Sequence, residues 1–141
     1  MPAGCPSSGQ RGQSFHPNWM GGKDCCLDIT VVNPLQAAYI RMSASNQDYA
    51  LRKAYERKMA ELGAQCREAG LAFCPLPMDT LGGWSESMVE QVKRMGSALA
   101  RNKGEDDSDV TRHLIQRIAV VLARLNSAIL LNRAPSTPLL T

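Results

Sequence analysis

The chain has 141 residues, 44% hydrophobic and 21% charged, with a net charge of +3, which is one domain's worth of ordinary globular composition. Five cysteines (Cys5, Cys25, Cys26, Cys66 and Cys74) form an odd set with no CxxC pair, which reads as reduced thiols in an intracellular compartment and excludes a cysteine-based zinc site. The reading finds no apolar run of the roughly 18 residues that a membrane helix needs and no signal-peptide core, so the expectation is a soluble protein without a membrane partner.

In chain order, residues 1–17 (MPAGCPSSGQRGQSFHP) are rich in Gly, Pro, Ser and Gln and are expected to be disordered; 18–133 are the folded domain and 134–141 a frayed, Pro-containing tail. Residues 14–20 offer one strand. Residues 25–32 read as a second, ended by Asn33-Pro34 because proline donates no N–H and its predecessor avoids the helical region. From about 46 to 69, Tyr49, Leu51, Tyr55, Met59, Leu62 and Cys66 recur at mostly three- and four-residue steps with Arg and Lys between, an amphipathic helix that Gly70 stops. Residues 71–76 read as another strand, and Pro75 and Pro77 confine it to an edge or a strand end. After Gly82-Gly83 come a helix at about 85–102 and a last one at about 109–132, with Ser108 as a capping residue. The last helix is the most apolar segment and is expected to pack centrally or against a partner. The order predicts an α/β fold: a small mixed or parallel sheet with covering helices, followed by two C-terminal helices, with a right-handed crossover if 25–32 and 71–76 are parallel.

Asp28 is the side chain that composition explains least, since it interrupts the run Cys25-Cys26-Leu27-Asp28-Ile29-Thr30-Val31-Val32. A carboxylate in a two-sided buried strand must be paired or hold a metal; the alternative is a solvent-facing Asp28 alternating with Leu27 and Ile29. The helix after it brings Lys53 and Lys58, and Asp79 ends the next strand. Two carboxylates and a lysine at one end of a sheet suit metal-assisted phosphodiester hydrolysis: the carboxylates bind Mg²⁺ or Mn²⁺ and the lysine orients the nucleophile or stabilises the transition state. A solvated helix face accounts equally for Lys53, Arg57 and Lys58, and a turn or N-cap role for Asp79. Trp84 stands beside Gly-Gly, where it either stacks on a base or closes the core.

Leu27-Asp28-Ile29-Thr30-Val31-Val32, Ala54-Tyr55-Glu56-Arg57-Lys58 and Phe73-Cys74-Pro75-Leu76-Pro77-Met78-Asp79-Thr80-Leu81-Gly82-Gly83-Trp84 together resemble the restriction-like endonuclease segment at the C-terminal end of some non-LTR retrotransposon reverse transcriptases, a branch of the PD-(D/E)XK nuclease superfamily. The resemblance covers about residues 16–133. It implies a restriction-endonuclease-like core with Asp28 and Asp79 as metal ligands, Thr30 where other members carry a lysine, and Lys58, or second Lys53, supplying the displaced lysine. It further implies DNA as the partner, met by Lys53, Arg57, Lys58 and Trp84, a parent polypeptide bearing a reverse transcriptase domain, and a nuclear location within the cell. One departure stands out. The family's first acid should lie a dozen or more residues before Asp28, where this chain has Gly12, Gln13, Ser14 and Phe15, and its first acid of any kind is Asp24. A copy lacking that ligand is expected to be weak or inactive, and a non-catalytic nucleic-acid-binding module or a helical interaction module is the competing expectation.

Overall fold

The computed structural model describes residues 13–133. It divides into two compact units, residues 1–91 and 92–141, which helix α4 links.

The first unit is built on a three-stranded mixed sheet in the order β1-β2-β3, with β1 at Gln13–Met20, β2 at Lys23–Val32 and β3 at Ala72–Asp79. β1 and β2 form an antiparallel hairpin whose two-residue turn is Gly21-Gly22, both at positive φ (57° and 80°), the backbone that a primed turn demands and glycine supplies. Gln13–Pro17, expected to be disordered, therefore belong to a strand; the rest of that expected segment and the expected tail lie outside the described residues. Between His16 and Met20 the register shifts, Asn18 takes a φ of 50°, and its amide donates to Asp24 Oδ1 at 2.8 Å.

β2 and β3 are parallel neighbours, as the length of the crossover between them predicts. That crossover holds a short helix α1 (Ile40–Ser43) and then a continuous helical stretch: α2 (Tyr49–Lys58), a π-helical turn (Met59–Gly63) and α3 (Ala64–Glu68). It ends at Gly70 (φ 73°) in a Schellman arrangement, in which Gly70 N–H donates to Arg67 O at 3.0 Å and Leu71 N–H to Cys66 O at 2.9 Å. The buried face differs in part from the expected stripe. Ala50, Leu51 and Ala54 pack on Val32, whereas Tyr55 and Met59 are 36% and 37% exposed. Small alanines bring α2 close against the sheet, and the larger side chains are displaced to the flank. The π-helical turn then rotates the chain so that Leu62 and Cys66 are again buried.

Parallel partners share a face, so Asp28, Thr30, Val32, Pro75, Pro77 and Asp79 line one side of the sheet, the side that α2 covers. On the other side Leu27, Leu76 and Met78 are buried, but Ile29 and Val31 are 45% and 47% exposed. The strand is thus half open at its C-terminal end, and the open half carries the aliphatic residues while the covered half carries the acid.

α4 (Glu86–Lys103) starts at Ser85, whose Oγ accepts the Met88 amide at 3.2 Å. In the second unit α5 (Asp107–Arg133) starts on Asp106, whose Oδ1 accepts the Asp109 amide at 3.0 Å; Ser108, the expected cap, instead donates its hydroxyl to that carboxylate at 2.6 Å. Within this unit Gly96 of α4 lies against Thr111 of α5, so close that a Cβ at Gly96 would stand 2.9 Å from Thr111 Cα. Only Val110 and Leu122 of α5 are fully buried. Of the two expectations for the last helix, central packing does not hold and packing against a partner stays open: about one residue in each turn from Val110 to Asn126 faces inward, and most of the rest face out. The expectation that no segment reaches membrane-helix length is corrected as well, because α5 is long and apolar enough by length and composition.

Candidate functional site

Asp28 is 1% exposed, on the middle strand, and faces α2. The bland alternative, an acid on the solvent face, does not hold. Its partner is Lys58, the last residue of α2, whose Nζ is 3.1 Å from Asp28 Oδ2; the lysine side chain is 17% exposed and also lies 3.9 Å from Glu61 Oε2. The Asp28–Lys58 contact is an ion pair whose alignment falls short of a hydrogen bond. Asp28 Oδ2 is left without one, and the Thr30 hydroxyl, two residues along on the same face, is buried without a hydrogen-bond partner. Buried polar atoms are nearly always satisfied, so two neighbouring oxygens lacking hydrogen bonds mark the spot as unusual.

Lys58 arrives there because it directly precedes the π-helical turn, at the point where the helix has run the length of the Ala50–Ala54 contact and reached the level of Asp28. Lys53, the second lysine candidate, does not reach Asp28. It pairs with Glu56 at 3.0 Å on the exposed side of α2, and that hydrogen bond holds its ammonium above the ordinary lysine value. Arg57 faces Glu61 at 3.9 Å. Of the four expected nucleic-acid contacts, three therefore have an acid beside them.

Asp79 is not brought to Asp28. The register pairs Asp28 with Pro75 and Asp79 with Val32, four positions further on, which at ~3.3 Å per residue is about 13 Å along the strand. Its carboxylate is occupied by its own turn: Oδ1 accepts the amides of Leu81 and Gly83, both at 2.8 Å. Asp79 is a turn-holding residue, and the two carboxylates share no metal. Asp24 is likewise engaged, by the Asn18 amide. Among the described residues no three His, Cys, Asp or Glu side chains are grouped to hold a metal ion. The donors present at Asp28 do not fit a divalent cation, since one carboxylate oxygen already faces the Lys58 ammonium, which the Glu61 carboxylate also approaches at 3.9 Å.

Trp84 is half-buried and bridges to Met78, which takes it into the sheet's end. It borders a cleft of about 460 Å³ that Leu51, Asp79 and Leu81 also line. Gly83 packs so tightly on Asp79 that any Cβ there would meet the carboxylate.

One residue of the site was named only as a gap. In the hairpin register Gln13 stands directly opposite Asp28, and Ser14 opposite Leu27. Directly opposed residues point to the same face with Cβ atoms about 5 Å apart. The position across the hairpin from Asp28 is therefore held by Gln13, on the face where Lys58 meets Asp28, and Ser14 points to the other side of the sheet. No family model, curated protein sequence or solved structure matches this chain.

Proposed function

We propose that this chain is a restriction-endonuclease-like domain of the kind found at the C-terminal end of non-LTR retrotransposon reverse transcriptases, with DNA as its partner and phosphodiester hydrolysis as its ancestral activity, and that this copy cleaves weakly or not at all. What supports the reading is one juxtaposition on one face of the sheet: Asp28 on the middle strand is paired with Lys58 from α2 and stands opposite Gln13 of β1. An acid on the middle strand and a lysine from the next helix are the pair that such a site uses to hold charge around a phosphate. Gln13 occupies the place where a second carboxylate would stand. Its amide oxygen is an acceptor like a carboxylate oxygen, but it brings no negative charge, and a divalent cation needs that charge to shed its waters. Asp28 alone, with an ammonium on it, recruits Mg²⁺ or Mn²⁺ poorly.

Gln13→Asp tests this directly. In a supercoiled-plasmid nicking assay the natural chain is expected to stay at background with Mg²⁺ or Mn²⁺, Gln13→Asp to nick in a metal-dependent way, and Gln13→Asp with Asp28→Ala to lose it. Ser14→Asp, one residue on and facing away, should restore nothing. Lys58→Met in the Gln13→Asp background should slow cleavage by roughly 10²-fold, the usual cost of one lost electrostatic contact to the reacting phosphate. If Gln13→Asp folds, binds Mn²⁺ and stays inert, the nuclease reading fails; if the natural chain cuts and Asp28→Ala cuts equally well, the site is elsewhere.

A further inference from the structure

Helix α5 leaves an apolar stripe uncovered. Val121, Leu125 and Ile129 are 54%, 57% and 49% exposed, and at four-residue steps they continue the stripe of half-buried Leu114 and Ile118. The most apolar 18-residue stretch of α5 is only 6% buried. A soluble protein's apolar helix is ordinarily a core helix, and this one is not. Nor is it a leader, because the folded sheet region precedes it in the chain. A contiguous apolar face of this kind marks a binding surface.

Charge selects the occupant. From Val110 to Arg133 there is no acidic residue, while Arg112, Arg117, Arg124 and Arg133 are all present. Arg112 is taken by Asp109 at 2.6 Å; Arg117, Arg124 and Arg133 have no ion pair among the described residues. Arg117 and Arg124 are seven residues apart, which puts them on one flank of the helix beside the stripe. A second copy of α5 offers acids only in its first turn, Asp107 and Asp109, and these are already engaged by Ser97, Thr111 and Arg112. Nucleic acid would meet the arginines but leave Leu125 and Ile129 in water. A span across a bilayer would place Arg117 and Arg124 within the hydrocarbon. Lying in the plane of an anionic bilayer satisfies the stripe and its flanking charges together: the aliphatic stripe enters the acyl boundary, and the Arg117 and Arg124 guanidinium groups reach the headgroups along their own methylene stems.

We propose that α5 is an interfacial helix that docks this chain on anionic lipid membranes. The test is flotation of the whole chain with phosphatidylcholine vesicles, with and without phosphatidylserine. Binding is expected only when phosphatidylserine is present, and should fall as salt rises. Replacing Arg117 and Arg124 by Gln should weaken it by roughly fivefold for each arginine. Leu125→Glu should weaken it by at least about tenfold without disturbing the fold, since the side chain is 57% exposed and the far-ultraviolet circular dichroism should not change. Failure to float with anionic vesicles overturns the proposal, and so does binding indifferent to lipid charge. A stable dimer in solution that Leu125→Glu dissociates, with no flotation, overturns it in favour of pairing between copies.

Discussion

In residues 13–91 a carboxylate, Asp28, is only 1% exposed; in residues 92–133 an aliphatic side chain, Leu125, is 57% exposed. The first has its answer inside the chain. Lys58 is brought to 3.1 Å, and α2 closes over both. The second has none among the described residues, since nothing on α5 beyond Asp109 carries a negative charge to offset its arginines and its stripe runs on past the buried Val110 and Leu122. A buried charge that is paired locally speaks of a site or the remains of one; an exposed apolar face that is not covered locally speaks of something outside the chain. The two regions thus call for different experiments, one on internal energetics and one on binding.

The comparison breaks most decisively at Lys58. Lys58→Ala leaves a buried carboxylate unpaired and should destabilise the first region by about 3–5 kcal/mol in chemical denaturation. Replacing both partners together, Asp28→Leu with Lys58→Met, removes the charge along with its partner and should come out close to neutral. Lys53→Ala removes an exposed pair and should change stability hardly at all. If Lys58→Ala proves as mild as Lys53→Ala, Asp28 is wetter than its burial indicates and the contrast between the regions collapses.

Asp79 comes next. Asp79→Ala leaves the Leu81 and Gly83 amides without their acceptor, a loss of about 1–3 kcal/mol, whereas Asp79→Asn keeps an oxygen at Oδ1 and should recover most of it. In the Gln13→Asp background Asp79→Asn should leave nicking intact, which separates a turn-holding residue from a metal ligand. In the second unit Gly96→Ala forces a Cβ to within 2.8 Å of Thr111 Cβ and 2.9 Å of its Cα. Overpacking of that kind costs about 1–3 kcal/mol, and adding Thr111→Ala should restore only part, because the backbone contact remains. Thermal unfolding of Gly96→Ala and of the double variant measures it.

Much of the sheet region is legible in the residues. Leu27 to Val32 and Phe73 to Met78 have strand chemistry, Gly70 stops a helix, and the crossover between the strands is long enough for the parallel pair that forms. Asp28 and Lys58 could be named because a lone acid in an aliphatic run needs a partner and a lysine in the following helix is within reach. Asp79 could not be told from a ligand, since a turn carboxylate and a metal carboxylate look alike until the register is known. The same register gives Gln13 its meaning: being opposite Asp28 is a fact of hairpin alignment, and only Gly21-Gly22, with positive φ at both positions, hints at it. Whether α5 packs centrally or against a partner is not legible in the residues, because periodicity reports that a face is apolar and says nothing of what covers it.

The smallest effect lies at the start of α5, where the cap is a carboxylate. Asp106 Oδ1 accepts the Asp109 amide, and the Ser108 hydroxyl bond, more than any other contact, lowers the carboxyl below its ordinary value of 3.8. A depressed folded-state value means that the cap is complete above the unfolded value and is lost as pH falls through the folded one. Protection of the Asp109 amide, its exchange rate relative to that of the unfolded chain at the same pH, should therefore fall only in strong acid, below pH 3.8, and stay constant between pH 5 and 8 where the carboxylate stays charged. Asp106→Asn keeps an oxygen for the amide and should flatten that acid dependence, while Asp106→Ala should quicken exchange at every pH. The group is fully exposed, so the effect is confined to the first turn and should not move the unfolding of the chain as a whole. If Asp106→Ala exchanges no faster than the natural chain at neutral pH, the first turn is held by its backbone alone, and the cap assigned to Asp106 is wrong.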